Sequence, residues 1–220
     1  MLLSMNVIEL FSSIDGEGKR QGFLTTFLRL HDCNIRCSYC DTLYSYGPES
    51  TFESMSVQAV ADVIEQLENH RITVTGGEPL LQEPAIIELI DELTRRNARY
   101  DFNIETNGTI IPSFHRDNVW FTYDYKTPSS LAEDAMNLDI FKVATPADII
   151  KFVVGSMQDL DRMNEILKTY PTEAQIFVSP VWGNIEGAAI VDYMKAHNWQ
   201  NVRFQLQIHK FIWPPDMKGV

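Results

Sequence analysis

His31-Asp32-Cys33-Asn34-Ile35-Arg36-Cys37-Ser38-Tyr39-Cys40-Asp41-Thr42 holds every cysteine of the chain. Cysteines used as small buried hydrophobes would scatter over 220 residues, whereas three on one loop point to sulfurs converging on a common object. A metal centre is the expected object. A four-iron cluster takes a ligand for each iron, so three thiolates leave one iron open to bind a small molecule. Zinc is the competing reading, with His31 as a fourth ligand, although zinc pairs usually come from two separated knuckles. An odd number of cysteines leaves one over in any disulfide scheme. Met1 to Asp15, with Glu9 and no long apolar stretch, do not read as a secretory leader.

Outward from this loop, short β-rich runs alternate with amphipathic helical stretches, the pattern of a parallel sheet covered by helices. Phe23 to Leu30 is the strand that feeds the cysteines. Ser56 reads as an N-cap, and Val57, Val60, Ala61, Ile64 and Leu67 follow at helical spacing. Arg71 to Thr75 is the next strand, and Ile86, Leu89, Ile90 and Leu93 mark a helix after Pro84. Further strands are expected at Asp101 to Thr106, Val119 to Tyr123, Ile149 to Val154, Ala174 to Ser179 and Val202 to Gln207. Helices are expected at Gln158 to Lys168 and Ile185 to His197. Lys126 to Ala147, with Pro128 and Pro146 and no clear period, has no predicted structure.

Polar motifs sit where the strands end: the cysteines, Thr75-Gly76-Gly77-Glu78-Pro79, Glu105-Thr106-Asn107-Gly108, Asp124-Tyr125-Lys126, Ser179-Pro180-Val181-Trp182 and Gln207-Ile208-His209-Lys210. In a barrel of parallel strands those ends share one mouth, so distant motifs converge. One α/β domain, a closed or open barrel, is therefore expected. A 45% hydrophobic and 22% charged composition fits a single globular core. The net charge of −12 argues against a nucleic-acid partner, because phosphate binding draws on clustered lysine and arginine. No run approaches the ~20 apolar residues that span a bilayer, so no membrane association and a cytoplasmic location are expected.

Cys-x-x-x-Cys-x-x-Cys followed by a Gly-Gly-Glu-Pro strand end resembles the radical S-adenosylmethionine superfamily. Within it the chain resembles the 7-carboxy-7-deazaguanine synthase family, through Ser13-Ile14-Asp15-Gly16-Glu17-Gly18, Arg29, Cys40-Asp41-Thr42, Glu105-Thr106-Asn107-Gly108 and Leu206-Gln207-Ile208-His209-Lys210. The resemblance covers nearly the whole chain. It implies a partial (β/α) barrel of the radical SAM type over residues 1–220, with an N-terminal substrate loop and a C-terminal segment closing the site. It also implies conversion of 6-carboxy-5,6,7,8-tetrahydropterin to 7-carboxy-7-deazaguanine with loss of ammonia, a step toward queuosine and other 7-deazapurine nucleosides. The implied cofactors are a [4Fe-4S] cluster, S-adenosylmethionine and Mg²⁺; the implied partners are an electron donor such as a flavodoxin and a second copy of the chain.

By the same resemblance Cys33, Cys37 and Cys40 hold the cluster, which splits S-adenosylmethionine to give a 5′-deoxyadenosyl radical that takes hydrogen from the pterin. Thr42 maps to the magnesium ligand and Arg29 to the grip on the substrate carboxylate, an anion that its planar fork suits. Ile14, Asp15, Gly16 and Glu17, with Thr75, His209 and the terminal Val220, map to substrate contacts. Tyr39, Cys40, Asp41, Gly77, Glu78, Glu105, Asp124, Tyr125, Lys126, Ser179, Pro180, Val181 and Trp182 map to S-adenosylmethionine contacts. Asp15 departs from the family's glutamine: an ionised carboxylate only accepts hydrogen bonds, so ring recognition there must differ. Two rivals remain, an activase that installs a glycyl radical on a partner protein and a zinc-stabilised binding module. The Gly-Glu-Gly loop and the His-Lys ending argue against the first.

Overall fold

The computed structural model describes residues 3–215 and 217–220. Its strands are β1 (Ser4–Ile14), β2 (Leu24–Leu30), β3 (Glu53–Ser56), β4 (Arg71–Gly76), β5 (Asp101–Thr106), β6 (Val119–Lys126), β7 (Ile149–Val154), β8 (Gln175–Pro180) and β9 (Val202–Phe204). They form one sheet in the order β3-β1-β2-β4-β5-β6-β7-β8-β9. β1 pairs antiparallel with β2 and β3, and the later neighbours pair parallel. The strands at the two ends of that order do not meet, so the barrel is partial and open.

The longer helices are α1 (Val57–Gln66), α2 (Glu83–Arg96), α4 (Met157–Thr169) and α5 (Gly187–Ala196); α3 (Ile140–Val143) and α6 (His209–Ile212) are single turns. The Ser56 hydroxyl accepts the Ala59 N–H and starts α1, which buries Val57, Val60, Ala61 and Ile64 on one stripe. Pro84 sits in the first turn of α2, where its missing N–H costs nothing, and Ser156 caps α4. These stripes pack on Leu28, Val74, Ile104, Tyr123, Phe152 and Val178, the outward side chains of the sheet. Period-two alternation sends the intervening residues, Arg29, Thr75, Glu105, Asp124 and Lys151, to the opposite face, where they line a cavity.

Several segments depart from the sequence reading, among them the short edge strand β3, which it did not include. β1 has no counterpart in it, because the register slips between Val7 and Glu9 and breaks the alternation that identifies a half-buried strand. The segment after β6 folds as three short turns, at Pro128–Ser130, Glu133–Ala135 and α3, anchored by buried Ile140 and Phe141. None is long enough to show a period. β9 also stops at Phe204 rather than Gln207, which frees the chain to turn across the cavity mouth.

Candidate active site

The cysteine loop is shaped by its own polar groups. Asp32 adopts φ +78°, and its carboxylate accepts the Cys33 N–H at 2.7 Å. Arg36 lies over Tyr46 and donates to the carbonyls of Cys33 and Ile35, while the Ser38 N–H reaches the Ser130 carbonyl at 2.9 Å. Cys33, Cys37 and Cys40 are free, half-buried, and line one cavity of about 1110 Å³. The Asn107 amide points at the Cys33 sulfur at 3.7 Å. Burial pushes the Cys37 thiol up to about 11 against the pull of Lys126, and raises Cys33 as well. Thiolates in this wall therefore call for a bound cation to neutralise them. Among the described residues no three His, Cys, Asp or Glu side chains are placed to hold a single metal ion. The His31 ring lies tilted against Phe52, 4.3 Å between ring centres and away from the cavity, so it does not complete a closed zinc shell with the thiols. Three sulfurs around an open space fit a cluster with one ligand position free.

Beside the thiols, Gly76 and Gly77 bring backbone against backbone. A Cβ on Gly76, which has φ +149°, would stand 2.7 Å from the Leu30 nitrogen, and one on Gly77 would overlap the Asp32 carbonyl. The Glu78 N–H donates to that same carbonyl at 2.7 Å. Glu78 itself is turned away from the cavity and fully buried, accepting from the Leu80 N–H, the Thr106 hydroxyl and the Asn107 N–H. Burial raises its pKa and the two backbone donors oppose that shift. It ties the ends of β4 and β5 together, which fixes Asn107 against Cys33.

Charged side chains run along the cavity floor. Lys126 pairs with Asp124 at 2.9 Å, and Lys151 reaches Glu17 at 2.6 Å and Asp124 at 3.6 Å. Glu105 accepts the Thr75 hydroxyl at 3.1 Å. Burial foremost pushes Glu105 up to about 7, with Lys151 opposing and Glu17 and Asp15 adding to it. Burial works against the Lys151 ammonium, but Glu17, Asp124 and Glu105 hold it well above the ordinary lysine range.

At the other end, Arg29 donates through Nε to Glu9 at 2.6 Å, and Tyr44 donates to the same carboxylate at 2.8 Å. The rings of Phe11 and Phe27 stack 5.2 Å apart on the cavity wall. Thr42 donates to Asp41 at 2.9 Å, and Lys210 reaches the other Asp41 oxygen at 3.1 Å. Burial would raise the Asp41 pKa, yet Lys210 and its neighbours hold it down at about 2. The Ile208 N–H donates to the Gly16 carbonyl, and the His209 ring fills the space a Cβ on Gly16 would need, so the C-terminal segment lies on the loop after β1. Lys218 and Val220 also line the cavity, with the Lys218 ammonium 4.1 Å from the centre of the Tyr44 ring.

Asp15 borders the cavity, but its carboxylate is committed inward. It pairs with Arg20 at 3.0 Å and accepts from Thr25 and Thr73. Its N–H and carbonyl are engaged with Phe23 and Gly22. Ile14, Gly16, Glu17, Arg29, Tyr39, Thr42, Thr75, Gly77, Glu105, Asp124, Lys126, Val181, Trp182 and His209 all reach the cavity wall. Tyr125 and Glu78 do not: the Tyr125 ring packs among Phe141 and Phe152 on the outer side and donates to Glu133. Pro180 and Ser179 are also set back, the latter with a buried hydroxyl that has no partner among the described residues.

Sequence reasoning passed over Lys151, Phe11, Phe27, Glu9 and Tyr44. Lys151 had a visible signal, a lysine in the middle of the otherwise apolar run Ile149-Ile150-Lys151-Phe152-Val153-Val154. A charge in a strand buried on both faces needs partners.

Residues 29–153 match the model of the radical SAM superfamily. The 7-carboxy-7-deazaguanine synthase of Clostridium acetobutylicum is 37% identical over 99% of this chain and 100% of its own length. That of Methanospirillum hungatei is 36% identical over 96% of this chain and 86% of its own. A crystal structure of QueE from Escherichia coli superposes with a TM-score of 0.71 at 22% identity, covering 92% of this chain and 93% of that one, and shows the same partial-barrel fold. With a cysteine triad, a double-glycine cradle and near full-length likeness to these relatives, the chain belongs to the 7-carboxy-7-deazaguanine synthase family of the radical SAM superfamily.

Proposed function

We infer that this chain is the enzyme that forms 7-carboxy-7-deazaguanine, taking 6-carboxy-5,6,7,8-tetrahydropterin as substrate, with loss of ammonia and no net oxidation. The observation that carries the reading is the convergence of three thiols, the Gly76-Gly77 cradle and Arg29 on one cavity large enough for a nucleoside cofactor and a bicyclic acid together. A [4Fe-4S] cluster with S-adenosylmethionine would supply, when bound, the radical that opens the reaction.

The chain's own residues do the rest. Cys33, Cys37 and Cys40 hold the cluster, and the Gly77 backbone admits the methionine end of the cofactor. Tyr39, Asp124, Lys126, Val181 and Trp182 line its nucleoside path. The Arg29 terminal nitrogens, left over from the Glu9 bond, grip the substrate carboxylate, and Thr42 would offer Mg²⁺ a hydroxyl oxygen. Glu17 and Thr75 border the pterin ring. His209, Lys218 and Val220 border the pterin and help exclude water and stray hydrogen donors. The whole chain acts as one domain. In this reading it works in the cytoplasm as a homodimer and takes electrons from a protein such as a flavodoxin. No helix among the described residues is long and apolar enough to cross a membrane.

Anaerobic reconstitution with iron, sulfide, S-adenosylmethionine, Mg²⁺ and the carboxylated tetrahydropterin tests this. The expected result is ring-contracted product and its loss in Cys37→Ala. A protein that carries only zinc, or leaves S-adenosylmethionine intact, overturns the reading.

A further inference from the structure

The cavity floor contains one ammonium that the chemistry above leaves without a task. Lys151 stands in the centre of β7, 5% exposed, with its charge directed into the cavity rather than to solvent. Its side chain bonds to Glu17, 134 positions earlier in the chain, at 2.6 Å, and lies 3.6 Å from Asp124 on the adjacent strand β6. Asp124 in turn pairs with Lys126 at 2.9 Å, and one of its oxygens is buried without a partner among the described residues. On the loop side, Gln205 approaches the second Glu17 oxygen at 3.5 Å and accepts the Gly18 N–H at 2.8 Å, which fixes the loop carrying Glu17.

Burying an ammonium inside a strand is costly, and a fold retains one only where several partners compensate it. Here the partners come from both ends of the site. We propose that Lys151 is a positioning residue that ties Glu17, the carboxylate facing the pterin, to Asp124, the carboxylate facing the nucleoside cofactor, so that one buried charge sets the geometry of both halves. The proposal rests on the functional reading above for what occupies each end. Glu105 reports on the same charge. It is faced by Lys151 on β7, Glu17 and Asp15 on the loop after β1, and Thr75 on β4, while Asp124 on β6 shares Lys151. Lys151 is the cation that opposes the rise in its pKa.

The test uses reconstituted full-length protein and two equilibrium measurements apart from turnover. Quenching of 6-carboxypterin fluorescence probes one end, and calorimetry of S-adenosylmethionine binding probes the other. Lys151→Met is expected to weaken both by about ten- to a hundredfold, the scale of a lost charge-assisted bond. Its circular dichroism should be unchanged, and Lys151→Arg should recover most of the loss. Burial holds the Glu105 carboxyl up at about 7 with Lys151 opposing, so its titration should move upward in Lys151→Met. A Lys151→Met protein that binds both probes within about twofold of wild type overturns the proposal. Should that variant fail to fold, Glu17→Gln and Asp124→Asn each cut one arm of the tie. Each is expected to weaken both probes, and an effect confined to its own end overturns the proposal. Native protein that binds S-adenosylmethionine but not carboxypterin would instead refute the substrate assignment.

Discussion

Replacing Gly77 with alanine probes the contact that seats the cysteine loop. The Gly77 backbone is not in the left-handed region, so the substitution adds no backbone strain and acts only through the new methyl group. That group would overlap the Asp32 carbonyl oxygen, stand 2.5 Å from its carbon and 2.9 Å from the Cys33 Cβ, where ordinary contact begins at 3.4 Å. Backbone cannot swing aside as a flexible side chain does, so the loop must retreat by about 1 Å. The retreat breaks the 2.7 Å bond from the Glu78 N–H to Asp32, which costs about 1 kcal/mol. Overpacking adds roughly 1–3 kcal/mol. At ~2–4 °C per kcal/mol for a chain of this size, the cluster-free protein should melt roughly 5–15 °C lower. Because Cys33 moves with Asp32, reconstituted protein should also hold less iron and sulfide and bind S-adenosylmethionine more weakly. Thermal melting by circular dichroism, iron analysis and calorimetry read the three effects. An alanine variant that melts within a degree of wild type and takes up a full cluster would show that the cradle does not position the thiols.

Arg20→Met should destabilise the fold by about 3–5 kcal/mol in urea unfolding, because Asp15 would be left buried without its cation. Adding Asp15→Asn should restore part of that loss, and a single variant as stable as wild type would refute the pairing argument. For Glu105 the sign runs opposite to the usual carboxylate. Folded, it keeps its proton up to about 7, and unfolded it releases it near 4.5, so folding takes up a proton between those values. Stability therefore falls as pH climbs through that window. Glu105→Gln lacks this loss and should gain in melting temperature relative to wild type between about pH 5 and about pH 8; a constant difference would count against the shift.

How far the fold was legible can be followed residue by residue. Ser56, Val57, Val60, Ala61 and Ile64 mark α1 because capping and the 3.6-residue period act within a few residues of one another. Ile149–Val154 was readable as a short apolar run between breaks, interrupted only by Lys151. β1 was not, since the bulge after Val7 exchanges inward and outward positions partway along the strand. In the site, the cysteine spacing and the two glycines announce a metal-bearing cavity without help from the structure. The roles of Asp15, Glu78 and Tyr125 needed the fold: one step along β6 separates Asp124 on the cavity wall from Tyr125 on the opposite face, and Asp15 and Glu78 lie just past strand ends, where distant residues bury their carboxylates.

The chain alone therefore determined the chemistry available: three sulfurs on one loop, glycines where backbones must touch, and a rhythm of strands and helices set by local sterics. The tertiary structure decided which charges meet. Lys151 and Glu17 lie 134 residues apart, and His209 reaches Gly16 across the mouth, through the curvature of the sheet. Side-chain periodicity reports which residues share a face, but it carries no information about how far that face bends, and the bend brings Lys151 within 2.6 Å of Glu17.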